Sequence, residues 1–263
     1  PEIIKLSPII RYCEKNKLDY FILHTNQHYS KEMDEIFFEE LELPKPKYNL
    51  NVGSGKHGQQ TGAMIQKIEE VLIKEEPTHV FVQGDTNTVL AGAIAASKLD
   101  CKLVHVEAGL RSYDRTMPEE INRIIADSVS DILLCPTINQ KKILLKENIP
   151  EEKIFVTGNT IVDAVLENCK LAASKSKIMK EMKLEKQKFF LLTLHRPSNV
   201  DFEDKLKSII NGLKRVYQDS KIKFIFPIHP RTRKSINEFG IEVPSFIRII
   251  EPVGYLDLSL IHI

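Results

Sequence analysis

Five segments of this chain place polar, chemistry-capable residues directly after apolar runs. Open parallel sheets bind their ligands there, beyond the carboxyl ends of the strands. In Val80-Phe81-Val82-Gln83-Gly84-Asp85-Thr86-Asn87-Thr88, Gly84 permits a tight turn and Asp85 stands at the mouth of the next helix. Asp85 can serve there as a base or hydroxyl acceptor; equally, Asp85 or Asn87 can cap that helix. In Val104-His105-Val106-Glu107-Ala108-Gly109-Leu110-Arg111 the two-residue period sets His105 and Glu107 on one strand face, and Glu107 leaves the strand end as a site carboxylate. In Met117-Pro118-Glu119-Glu120-Ile121-Asn122-Arg123 a proline and two acids form a helix start, so on local grounds Glu119 is structural. His195 and Arg196 follow Leu191-Leu192-Thr193-Leu194, and such a pair suits phosphate, since arginine offers forked donors. Ile228-His229-Pro230-Arg231-Thr232-Arg233 repeats the theme, although a solvated basic loop fits it as well. Carboxylates early in the chain and cations late in it suit a nucleotide-sugar: cations hold the diphosphate and carboxylates handle the sugar.

Other chemistries lack their residues. The His105-x-Glu107 pair begins a zinc deaminase pattern, but Cys135-Pro136 does not supply the later Pro-Cys-x-x-Cys, so zinc is rejected. Cys13, Cys101, Cys135 and Cys169 are scattered in apolar or helical contexts and read as reduced, buried thiols. No metal and no cofactor is expected. Neither a dinucleotide G-x-G-x-x-G nor a G-x-x-x-x-G-K-[ST] phosphate loop is found, and Gly53-Ser54-Gly55-Lys56-His57-Gly58 reads as a flexible loop. The absence of G-x-S-x-G disfavours an α/β-hydrolase. His79, beside Pro77 at a strand entrance, reads as structural.

The elements that must position these residues alternate regularly. Strands are predicted at 20–24, 79–83, 102–106, 132–135, 154–157, 189–193, 224–227 and 246–250. Helices are predicted near 2–15, 31–41, 58–74, 88–98, 118–130, 139–147 and 201–217. Apolar strands alternating with helices define an α/β fold whose parallel sheets are covered on both faces. Across 263 residues, 37 Lys and Arg face 36 Asp and Glu, a near balance that argues against a nucleic-acid partner held by a broad basic field. With 42% hydrophobic and 28% charged residues the chain reads as globular. No apolar run approaches the ~20 residues of a transmembrane helix, so no membrane association is expected. Without a secretion signal a cytoplasmic location follows. Between Lys170 and Lys188 seven Lys meet two Glu with no strand signal, as expected of a linker or solvated helix. The predicted domains are therefore 1–169, a linker 170–188, and 189–263.

Pro1-Glu2-Ile3-Ile4-Lys5, Gln83-Gly84-Asp85-Thr86, His105-Val106-Glu107-Ala108-Gly109-Leu110-Arg111, Pro118-Glu119-Glu120-Ile121-Asn122-Arg123, Thr157-Gly158-Asn159-Thr160 and Leu194-His195-Arg196 occur in that order. Together they strongly resemble the non-hydrolysing UDP-N-acetylglucosamine 2-epimerases, over nearly the whole chain to about Asp257. The resemblance implies two Rossmann-like domains in the glycosyltransferase-B arrangement, with a UDP-sugar in the cleft. It implies interconversion of UDP-GlcNAc and UDP-ManNAc by elimination of UDP to a 2-acetamidoglucal and re-addition. It maps the family's functional positions onto Lys5, Asp85, Glu107, Glu119, Arg123 and His195, raising Glu119 to an acid/base candidate. Arg196 joins the phosphate group, while Gln27, His28 and His229 match positions of nucleotide-sugar or second-site binding. Tyr255 falls in the segment that passes the uracil. A homodimer and a role in surface polysaccharide synthesis also follow from the resemblance.

Two departures shape the expectation. The family starts with a strand and Gly-Thr-Arg ahead of the Pro-Glu, and it continues beyond Asp257 with a Ser-Gly-Gly…Glu-Glu segment that grips UDP. The chain is therefore expected to be a fragment with its second domain incomplete and inactive by itself, and residues 258–263 to be foreign to the gene. A hydrolysing 2-epimerase and a glycosyltransferase of the same fold stand as alternatives.

Overall fold

A computed structural model describes residues 2–26 and 37–262, which form two compact units divided between Leu166 and Glu167. Gln27 and His28 lie outside the described residues, as does most of the helix predicted at 31–41.

The first unit is built on a four-stranded parallel sheet of β3 (His79–Gln83), β4 (Lys102–Val106), β5 (Ile132–Cys135) and β6 (Ile154–Val156), paired in chain order. Val82 and Leu103 to Val106 are buried, because helices cover such sheets and leave continuous apolar runs rather than alternation. The register aligns Gln83 with Val106, so the loops carrying Asp85 and Glu107 leave the sheet side by side. A short parallel pair, β1 (Leu23–His24) with β2 (Tyr48–Asn49), completes the strands of this unit among the described residues. The helix Asn87–Ala96 buries Val89, Ala91, Gly92, Ala93, Ala95 and Ala96. Its small side chains allow close approach to the helices His57–Glu75 and Pro118–Val129; a Cβ on Gly92 would stand 3.0 Å from Val82.

The second unit holds the parallel sheet of β7 (Phe189–Leu191), β8 (Lys223–Pro227) and β9 (Ile247–Ile250). Phe224, Phe226 and Ile228 pack with Leu206, Ile210 and Ile236 into its own core, with Tyr217 stacked on Phe246 at 4.2 Å. The chain segment between the two sheets is largely helical, in Thr160–Lys175 and Ile178–Glu181. The helix Tyr255–His262 closes the described chain, fixed where Ser176 Oγ donates to Asp257 Oδ1 at 2.5 Å.

The expected α/β class with parallel sheets is what the chain forms, and β3, β4 and β5 have the predicted bounds. The helices Thr160–Lys175, Pro230–Glu238 and Tyr255–His262 were not expected. In the last of these the apolar residues are spread around the helix between Asp257 and Ser259, so it carries no periodic stripe to read. Strand β2 is only two residues long and, among the described residues, pairs with β1 alone, below what a sequence pattern can show. Among the described residues no helix is long and apolar enough to cross a membrane.

Candidate active site

Gly84 ends β3 with φ +85°, a left-handed turn that suits glycine, and its amide donates to Val106 O. Glu107 follows β4 with φ +70°, a conformation that costs a non-glycine residue of order 1 kcal/mol or more. These two turns set Asp85 and Glu107 on one open cavity, which Lys5, Gly84, Leu110 and Arg123 also line.

Each carboxylate in the cavity has a cation. Lys5, from the helix Glu2–Asn16, donates Nζ to Glu107 Oε2 at 2.5 Å. Arg123, from the helix Pro118–Val129, donates Nη2 to Asp85 Oδ2. The Glu107 side chain is 9% exposed, and Gln83 Nε2 and Asn159 Nδ2 also donate to it. Asn122 Nδ2 donates to Asp85 O at 2.9 Å, fastening the Asp85 loop to the helix that carries Arg123. Gln83 Oε1 and Arg123 Nε are buried with no hydrogen-bond partner among the described residues. Unsatisfied polar atoms are rare in folded proteins and concentrate where ligands bind.

Beneath the cavity lies a second, fully buried layer. His105 places Nδ1 2.7 Å from Asp127 Oδ1 and donates Nε2–H to the Gly84 carbonyl at 2.8 Å. Asp127 also accepts from Arg111 Nη1 at 2.7 Å and from the Gly109 amide; Arg111 in turn forks onto Glu147. The layer ties the turn after β3 to the turn after β4. Glu2 adjoins it, accepting from Thr86 Oγ1; burial, helped by the charge of Asp85, pushes its carboxyl up to about 7.

The buried face of the helix Pro118–Val129 is largely polar, comprising Glu120, Asn122, Ala126 and Asp127. Glu119 is exposed in its first turn and is not among the residues lining the cavity, whereas its neighbour Glu120 is 1% exposed. Glu120 has no periodic signal, because a helix face of acids and amides reads as solvated until something packs against it.

The remaining predicted residues lie in the second unit. His195 and Arg196 are exposed beyond β7, and the His195 ring sits 5.8 Å from that of His229. His229 caps the helix Pro230–Glu238, accepting from the Arg231 amide at 3.2 Å. Arg231 forks onto Asp201, and Tyr255 is half-buried with its hydroxyl 3.5 Å from Asn168 Nδ2. Gln83, Asn122, Asn159 and Glu2 complete the cluster in the first unit without having been singled out. Their one shared signal is position, at strand ends or helix starts facing the same sheet edge.

The fold and site define an α/β protein that gathers paired acids and cations at the carboxyl end of a parallel sheet, where such folds bind their ligands. The family model for UDP-N-acetylglucosamine 2-epimerase matches residues 11–261. The UDP-N-acetylglucosamine 2-epimerase of Methanocaldococcus jannaschii is 55% identical over 100% of this chain and 73% of its own length. A crystal structure of the UDP-GlcNAc 2-epimerase from that organism, in complex with UDP-GlcNAc and UDP, has a TM-score of 0.85 at 56% identity, covering 98% of this chain and 72% of that one. The UDP-GlcNAc 2-epimerase of Neisseria meningitidis, bound to UDP-GlcNAc, has a TM-score of 0.87 at 31% identity, covering 99% and 72%. The chain belongs to the UDP-N-acetylglucosamine 2-epimerase family. The family match reaches residue 261, so the break expected at about Leu258 is not there.

Proposed function

We propose that this chain carries the acid–base site of an enzyme that interconverts UDP-GlcNAc and UDP-ManNAc by eliminating and re-adding UDP. The observation that carries the reading is the pairing of Asp85 with Arg123 and of Glu107 with Lys5 in one cavity. A carboxylate takes the C2 proton while the C1–O bond breaks and its electron pair leaves with UDP. The C1=C2 bond of a 2-acetamidoglucal remains. UDP oxygen then adds back at C1 as a proton reaches C2 from the opposite face. Two faces need two acid/base groups, and an oxocarbenium-like transition state draws stabilisation from carboxylates, as in glycoside hydrolysis. Lys5 and Arg123 supply positive charge for the departing diphosphate, a role that preorganised cations fill without a metal.

Glu119 and His195 are assigned catalytic roles, and His229, Gln27, His28 and Tyr255 binding roles, on the resemblance; Arg196 is assigned to phosphate on its forked donors beside His195 after a strand. The Lys-rich stretch without a strand signal supports the division into domains 1–169 and 189–263 joined by 170–188. A cytoplasmic setting rests on the lack of a secretion signal, and the resemblance supports a homodimer and supply of ManNAc units to surface polysaccharide.

Incubating the protein with UDP-GlcNAc in D₂O tests the chemistry. The expected result is UDP-ManNAc with deuterium at C2. Product without C2 deuterium overturns elimination, and free UDP accumulating with turnover replaces the reading with a hydrolysing epimerase. Sugar transfer to an added acceptor would mark a glycosyltransferase. No turnover together with no UDP binding in calorimetry would mark an inactive chain.

A further inference from the structure

We propose that Glu120 is a positioning residue that aims Arg123 at Asp85 and holds the Ser112–Tyr113 turn to the same helix. Glu120 is 1% exposed and its carboxylate accepts four hydrogen bonds. Oε2 accepts from the Ser112 amide and from Ser112 Oγ, both at 2.9 Å, and from Arg123 Nη1 at 3.1 Å. Oε1 accepts from the Tyr113 amide at 2.9 Å, at a residue held at φ +59°. Three donors crowd Oε2 and a fourth holds Oε1, so the carboxylate is pinned at both oxygens and its role is to hold. Although burial opposes ionisation, the Ser112 and Tyr113 donors and the Arg123 charge outweigh it and hold Glu120 below the usual carboxylate range.

The Arg123 guanidinium shows why this hold matters. Its Nε has no partner among the described residues, and it donates from Nη1 to Glu120 and from Nη2 to Asp85. A planar fork fixed at two points has one orientation; fixed at one, it swings about that bond. Glu120 is three residues from Arg123 on the same helix, and this spacing brings the two side chains together. The Asp85 loop would then lose the fixed cation that faces it.

The test pairs a spectroscopic and a kinetic arm on the whole chain. In the wild type, ¹⁵N-labelled Arg123 should show separate Nη signals from slow rotation about Nε–Cζ. Glu120→Gln turns an amide donor toward these donors, and should average the Arg123 signals. Where that variant does not fold, Glu120→Asp keeps the charge but is too short to reach both Arg123 and the turn, and should do the same. Arg123 signals unchanged from wild type in a folded variant overturn the proposal. The kinetic arm rests on the epimerase reading. Glu120→Gln should lower kcat/KM for UDP-GlcNAc by roughly 10- to 100-fold. In an Arg123→Ala background the same substitution should change nothing further. Losses that multiply in the double variant overturn the proposal, because Glu120 would then act apart from Arg123. If the wild type does not turn over UDP-GlcNAc, the reading of function fails and the spectroscopic arm alone decides.

Discussion

Glu107 holds a carboxylate at the end of β4 in a left-handed conformation, 9% exposed, with a lysine and two amide donors around it. A group so placed is fixed and aimed into the cavity. Glu107→Gln should keep the shape of the site while lowering the rate of C2 proton exchange in UDP-GlcNAc by about 10²- to 10⁴-fold, the usual worth of a general acid–base group. Exchange followed by NMR in D₂O measures it. Glu2 tests a different property. Its pKa is raised to about 7 in the fold, from 4.5, so the native state binds more protons than the unfolded chain between those values. Stability therefore falls as pH rises from about 4.5 through 7, by up to about 3 kcal/mol, and is flat in this respect below and above that window. Glu2→Gln should flatten the window, which melting temperatures at pH 5 and pH 8 would show. Asp85 and Glu107 were legible as candidates because each follows a readable strand end, whereas Arg123 was singled out only by the resemblance. Glu120 was not legible, since nothing in Pro118-Glu119-Glu120 says which glutamate turns inward.

At the scale of elements, two turns and one helix carry the site. Gly109 has φ +79°, and a Cβ there would stand 2.8 Å from the Gln140 carbonyl. Gly109→Ala thus meets both backbone strain and a clash with main chain that cannot swing aside. It should cost about 2 kcal/mol or more in a urea titration. Asp127 joins His105, Arg111 and the Gly109 amide in the layer beneath the cavity. Asp127→Ala removes the buried carboxylate shared by Arg111, His105 and the Gly109 amide and leaves Arg111 only the half-exposed Glu147, which costs about 3–5 kcal/mol. A loss near 1 kcal/mol, as for a surface pair, would show the layer to be dispensable. Strands β3 to β5 were readable because buried parallel strands are short apolar runs between turn residues. The helix Pro118–Val129 was readable at its start and not on its inner face, where polar residues are buried by tertiary contacts.

For the whole molecule, the two units have separate apolar cores, and the first holds the cavity. Phe226 is a large, fully buried side chain of the second core, 1% exposed. Phe226→Ala should remove about 3–5 kcal/mol from that unit. Hydrogen exchange should then rise across β7 to β9 while β3 to β5 keep their protection, because each core is stabilised by its own packing. Loss of protection in both sheets together would mean that the units unfold as one. The sequence by itself determined the α/β class, the places where strands end, and the acids and cations that stand there. Periodicity and turn residues are local properties, and they survive without a partner. Only the tertiary structure decided that Lys5 meets Glu107, that Arg123 meets Asp85, and that Glu120 rather than Glu119 is buried. These are contacts between residues far apart in the chain, or choices of face made by packing, and no local pattern encodes either.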